Sequence, residues 1–172
     1  MKPKFKQLYT TIATEVAKMS HAKRLQVGAV IVKDDRIISM GYNGMPSGWE
    51  NDCEEKEWMT DAGGWLDPDE IVTNWPYEGT YKDQDGNEIA GRYRLKTRAE
   101  VLHAESNAIA KLAKSNDSGD AADLFVTHSP CMECAKLIYQ SGISRVFYSE
   151  DYRDDAGIKF LKQSGIEVIK ND

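Results

Sequence analysis

His103 and Glu105 stand two residues apart, and Cys131 and Cys134 three apart. Together they supply one imidazole, two thiols and one carboxylate. Imidazole and thiolate are ligands that suit zinc. Three protein ligands leave its fourth position open to water, as in catalytic sites, whereas structural sites close with four. Zinc brings the pKa of a bound water from about 15.7 to about 7, so the expected chemistry is hydrolytic. Glu105 is then the spare acid: it takes a proton from the attacking water and returns it to the leaving group, ending each cycle as it began. A lone CxxC also reads as a structural half-site or a redox pair. For a structural site, Cys53, His21 or His128 would have to supply a fourth ligand. A redox pair has no need of the His-x-Glu upstream.

These groups need elements that aim them. Ser129-Pro130 reads as a helix start, with Ser as N-cap and Pro at the first helical position. Cys131 and Cys134 then share one face of the following helix, and its N-terminal dipole favours thiolate. Residues at i and i+2 do not face each other in mid-helix. His103 and Glu105 therefore belong at the irregular first turn of their own helix, so that two helix N-termini converge on one metal.

The rest of the chain supplies the frame. Residues 4–20 carry Phe5, Leu8, Ile12, Ala13, Val16 and Met19 at helical spacing. Val27–Val32 and Arg36–Tyr42 form a hairpin turning at Asp34-Asp35. Beyond His103 come a helix to Lys114, then Leu124–Thr127 (strand), Cys131–Gln140 (helix), Arg145–Tyr148 (strand), Ala156–Gln163 (helix) and Ile166–Ile169 (strand). Alternating strands and helices imply parallel βαβ units. The expected fold is α/β, with three α/β/α layers: a mixed five-stranded sheet, its antiparallel hairpin continued by parallel strands, and helices on both faces.

Residues 44–100 break this rhythm and hold all four tryptophans, Trp49, Trp58, Trp65 and Trp75. Glu54–Met59 and Asp69–Asn74 are expected to be short helices. Tyr77–Lys82 and Glu88–Tyr93 are expected to pair as a hairpin turning at Asp85-Gly86. The segment reads as an insertion that covers the site or meets another subunit, within a single domain spanning 1–172.

Composition narrows the partners. The 172-residue chain has a net charge of −6, with +5 in residues 1–24 and −11 in the remainder. Nucleic-acid binders usually present a basic face, so neither DNA nor RNA is expected. A small basic cluster on an acidic body suits a nucleotide phosphate better. No run of 18 apolar residues predicts a membrane span. The N-terminus lacks a secretory h-region, and three cysteines including a CxxC suit a reducing, cytoplasmic setting.

His-x-Glu followed by Pro-Cys-x-x-Cys is the mark of zinc-dependent nucleobase deaminases. His103-Ala104-Glu105 with Asn107-Ala108-Ile109, and Ser129-Pro130-Cys131 to Cys134, resemble the cytidine/deoxycytidylate deaminase superfamily. Val27-Gly28-Ala29 and Gly41-Tyr42-Asn43-Gly44-Met45-Pro46 resemble its deoxycytidylate (dCMP) branch. The resemblance implies the cytidine-deaminase-like fold and conversion of dCMP to dUMP with release of ammonia. It implies zinc (Zn2+) on His103, Cys131 and Cys134, with Glu105 as proton shuttle. Asn43 matches the family's substrate-holding asparagine, although Asn-Gly is also a plain turn dipeptide. Gly28, Ala29, Ala104, Ser129 and Tyr152 are the other expected substrate neighbours. Many members are hexamers activated by dCTP and inhibited by dTTP with magnesium (Mg2+). Gly44, Met45 and Pro46 resemble the effector loop, and Lys4, Lys23 and Arg24 are candidates for phosphate contacts. One zinc per chain is expected, since no cysteine near residues 20–26 accompanies Cys53. His128 stands where an apolar residue is expected, as a surface group or a pocket wall. Two competing functions stay open: a deaminase of another small base or of tRNA adenosine, and a zinc-stabilised binding module without catalysis.

Overall fold

A computed structural model describes residues 1–59 and 76–171. Its elements are α1 (Pro3–Ala17), β1 (Gly28–Lys33), β2 (Arg36–Tyr42), β3 (Glu54–Trp58), β4 (Tyr77–Lys82), β5 (Glu88–Thr97), α2 (Ala104–Leu112), β6 (Asp123–His128), α3 (Met132–Gln140), β7 (Arg145–Glu150), α4 (Ala156–Gln163) and β8 (Glu167–Lys170).

The principal sheet has the order β2-β1-β6-β7-β8. β1 pairs antiparallel with both β2 and β6, while β6/β7 and β7/β8 are parallel. The hairpin turns on Asp34 and Asp35, both at positive φ (50° and 57°), as a two-residue type I′ turn requires. Strand side chains alternate between faces, and the core divides accordingly. Val30, Val32, Phe125 and Phe147 pack under α1. Ala29, Ile31, Leu124, Val126, Val146 and Tyr148 face the layer formed by α2, α3 and α4. The Phe125 and Phe147 rings stack at 4.6 Å. Burying each ring contributes roughly 1.5–3 kcal/mol.

Several expectations are corrected. α1 ends at Ala17, and Leu8 and Met19 are exposed. Tyr9 takes the inward position instead, its hydroxyl donating to the Asp35 carbonyl at 2.8 Å. Glu54–Met59 is not helical: Glu54–Trp58 forms β3, paired with β5. Cross-strand partners decide this, because Glu55 and Glu57 each meet a cation on β5, Lys96 and Arg94. The helix expected over Asp69–Asn74 lies outside the described residues. The β4–β5 hairpin is as expected, though β5 runs on to Thr97.

β3, β5 and β4 make a second, three-stranded sheet. Its chain leaves and returns at one point, where Gly44 and Leu102 exchange backbone hydrogen bonds of 3.1 and 2.9 Å. Among the described residues no helix is long and apolar enough to cross a membrane.

Candidate active site

The start of α2 and the start of α3 meet beyond the carboxyl end of β6. His103 is the N-cap of α2 and Cys131 the N-cap of α3. The convergence of two helix N-termini is thus present, but Ser129 is not the cap expected of it. Its hydroxyl instead accepts the Tyr152 backbone N–H at 2.8 Å, tying the loop after β6 to the loop after β7.

Two glycines let these starts come together. A Cβ on Gly41 would lie 2.3 Å from the Ala104 carbonyl, so β2 and the first turn of α2 touch backbone to backbone. A Cβ on Gly157 would lie 2.0 Å from the Pro130 carbonyl, and α4 packs just as closely on the cysteine loop.

His103 Nδ1 lies 3.3 Å from Cys134 Sγ and 3.6 Å from Cys131 Sγ. Tetrahedral zinc, with bonds of about 2.3 Å to sulfur and 2.0–2.1 Å to nitrogen, places such atoms roughly 3.5 Å apart. The donor set and its spacing fit a zinc ion, and these three residues are the metal-ligating group found among the described residues. Cys134 is buried, Cys131 half-buried and His103 exposed, so the group opens on its histidine side.

The thiols differ in acidity. Cys134 and His103 hold the Cys131 thiol down at about 3, whereas Cys131 and burial push the Cys134 thiol up. One thiolate forms within the protein alone, and the second needs the charge of a divalent cation. The hydrogen bond with Cys131 raises the His103 imidazole. Burial pushes the Glu105 carboxyl up, and Glu105 faces the Cys134 sulfur. At 4% exposure it is a carboxyl withdrawn from water beside a metal site, the environment that tunes a proton-transfer group.

A cavity of about 350 Å³ opens on this group, within the range of small-ligand sites. His103, Ala104, Glu105 and Cys131 form its metal end, with Asn43, Ser129 and Tyr152 also in the wall. Asn43 is buried and already bonded: Oδ1 accepts the Val27 N–H at 2.7 Å and Nδ2 donates to the Leu25 carbonyl at 2.9 Å. It holds the 25–27 strap in place and keeps one further donor and acceptor.

Gly28 and Ala29 do not line the cavity; Val27 does. The space beside Gly28 is filled by α1, where a Cβ would lie 2.1 Å from the Ala13 carbonyl, and the Ala29 side chain lies in the core against α2. Of the basic candidates, Arg24 lines the cavity. Lys4 does not, since it stands 13 residues before the end of α1, about 20 Å at helical rise. Gly44 is tied to Leu102, and Met45 packs on Ala22, Cys53 and Val101. Burial raises the Cys53 thiol.

Sequence reasoning missed Arg153, which lines the cavity near Tyr152. Its signal was position: it follows a parallel strand, where α/β sheets gather their ligands. His128 is a cavity wall, and burial lowers its imidazole. Thr127 Oγ1 accepts the Gly28 N–H at 3.2 Å and lies 3.1 Å from His128 Nδ1.

A three-ligand zinc group beside a buried carboxyl, on an α/β sheet, defines a hydrolytic zinc enzyme. Residues 3–150 match the family described as cytidine and deoxycytidylate deaminase zinc-binding region. The chain is 36% identical over 169 residues to the deoxycytidylate deaminase of Enterobacteria phage T4, covering 92% of this chain and 85% of that one. It is 33% identical over 150 residues to the human deoxycytidylate deaminase, covering 86% and 66%. The crystal structure of the cyanophage S-TIM5 dCMP deaminase in complex with dCMP and dUMP superposes with a TM-score of 0.74, at 37% identity over 99% of both chains. This chain belongs to the cytidine and deoxycytidylate deaminase family.

Proposed function

We propose that this protein hydrolyses dCMP to dUMP and ammonia. The carrying observation is the His103–Cys131–Cys134 group at the end of a cavity that also holds the buried Glu105. The likeness to deoxycytidylate deaminases over most of the chain supplies the substrate. Zinc on the three ligands supplies a Lewis acid that makes water nucleophilic near neutral pH. Glu105 takes the water proton and delivers it to ring N3 as oxygen adds to C4. It then carries a second proton to the exocyclic nitrogen. The C4–N bond breaks, ammonia leaves and the C4 carbonyl forms. The raised carboxyl of Glu105 suits both transfers.

The backbone N–H of Ala104 is among those a helix start leaves without an intrahelical acceptor, and it serves the base carbonyl. Asn43 contributes its remaining donor and acceptor to the nucleoside, and Tyr152 and Ser129 wall the base. Arg24 and Arg153 receive the 5′-phosphate. The chain works as one domain, with Glu54 and Thr97 of the second sheet in the cavity wall.

Hexameric assembly, activation by dCTP, inhibition by dTTP with Mg2+, and an effector role for Gly44–Pro46 with Lys23 complete the reading. They rest on the family resemblance. Three free thiols suit a cytoplasmic setting.

Ammonia release from dCMP, deoxycytidine, cytosine and an adenosine-bearing tRNA loop tests the reading. dCMP should be preferred, and preference for unphosphorylated deoxycytidine would overturn the substrate. Turnover by Glu105→Gln equal to wild type would overturn the mechanism.

A further inference from the structure

Residues 18–27 join α1 to β1 and belong to no helix or strand. Their backbone groups must find partners elsewhere. Asn43 holds the far end of the segment through Leu25 and Val27. At the near end, Ala22 packs on Cys53 and Val101. Lys23 and Arg24 stand between these anchors, and one side chain serves both. Glu54 Oε1 accepts the Lys23 N–H at 2.9 Å and the Arg24 N–H at 3.1 Å.

The same two strands hold the head group of Arg24. Glu54 on β3 and Thr97 on β5 are cross-strand partners, and the Arg24 guanidinium donates to the Thr97 hydroxyl at 3.1 Å. One register position of the second sheet thus grips Arg24 at backbone and tip. The grip matters because of where Arg24 stands. It lines the catalytic cavity and also an adjoining cleft of about 650 Å³, which it shares with Lys96 and Arg153. A long, exposed side chain at such a junction samples many rotamers, and ordering it costs affinity unless it is held beforehand. Glu54 itself lines the cavity. A carboxylate in the wall of a space that receives a phosphate repels it. Its two backbone hydrogen bonds supply the reason for an acid there, since an ionised acceptor forms the stronger bond.

We propose that Glu54 is a positioning residue that presents Arg24 to the 5′-phosphate, and so makes the enzyme prefer the nucleotide to the nucleoside. It touches no reacting atom. The proposal rests on the reading that Arg24 receives that phosphate, and adds the residue that sets the arginine in place.

Steady-state kinetics with dCMP and deoxycytidine, on wild type, Glu54→Thr, Glu54→Gln, Arg24→Ala and the Arg24→Ala, Glu54→Thr double variant, test it. Threonine suits a strand but is too short to reach the segment, whereas glutamine keeps an oxygen at the same place. Both remove the negative charge. Glu54→Thr should raise KM for dCMP several-fold, up to the roughly tenfold that loss of one charge-assisted contact costs, with kcat little changed. Its kcat/KM for deoxycytidine should stay at the wild-type value, and Glu54→Gln should restore the KM for dCMP. On the Arg24→Ala background, Glu54→Thr should have no further effect. A KM for dCMP at or below wild type in Glu54→Thr marks an acid that only repels the substrate, and overturns the proposal alone. So does an equal loss on dCMP and deoxycytidine, which marks a purely structural role. A full Glu54→Thr effect in the absence of Arg24 also overturns it. Arg24→Ala that leaves the KM for dCMP unchanged overturns the underlying reading of the phosphate site instead.

Discussion

Glu105 combines two demands at one residue. Its carboxyl must change protonation during turnover, yet it is buried. Burial raises its folded pKa above the unfolded value of about 4.3. The folded state thus holds the proton more tightly, so stability is fully present below the unfolded pKa and is lost as pH rises through the folded one. Glu105→Gln removes the charge at constant shape. It should lower kcat by about 10²–10⁴-fold and give a melting temperature equal to or above wild type at pH 8. That gain should vanish near pH 4, as melts across the range would show. A gain that grows toward low pH would contradict the burial argument. Cys134→Ser should fail to retain zinc by metal analysis and should lose activity with it, since it removes one of the three ligand residues.

At the scale of elements, the site depends on close approaches that bear no chemistry. β2 touches the first turn of α2 at Gly41, and α4 touches the cysteine loop at Gly157. Backbone lies on the far side of each, so a methyl group forces a shift. Gly157→Ala should destabilise the fold by about 1–3 kcal/mol, the cost of overpacking. It should also lower zinc content, because the shift falls on Pro130-Cys131. Circular dichroism melts and metal analysis check this; full zinc occupancy at wild-type stability would remove Gly157 from this role. Helical spacing chose Leu8 and Met19 for the core, but the sheet selected Tyr9, whose hydroxyl reaches Asp35. Glu54–Met59 had neither strong periodicity nor β-branched residues, and its pairing with β5, where Glu55 and Glu57 meet Lys96 and Arg94, is visible only in three dimensions.

For the whole molecule, the question is where the phosphate goes. The basic residues near the N-terminus looked like one group in the sequence. α1 separates Lys4 from the cavity, while Arg24 comes beside Arg153, which is 129 positions later in the chain. Arg153→Ala should raise KM for dCMP by about tenfold with little change in kcat, as loss of a binding contact does. Lys4→Ala should change neither in steady-state kinetics. A kcat defect in Arg153→Ala would place that residue in the chemical step instead.

The sequence by itself determined the reaction class and most of the principal sheet. Ligand type and spacing are local properties: three zinc donors, a spare acid, and helix starts beneath both motifs can be read within a few residues. Strand and helix periodicity is equally local. What only the tertiary structure decided were the approaches between distant segments. It showed that α1 fills the space beside Gly28, that Val27 stands in the cavity wall, and that Ser129 ties two loops rather than capping α3. It brought Arg24, Arg153 and Lys96 to neighbouring cavities from two separate loops and a strand. The physical reason is that a side chain's neighbours across a sheet or a cleft are set by packing and pairing, which no spacing along the chain encodes.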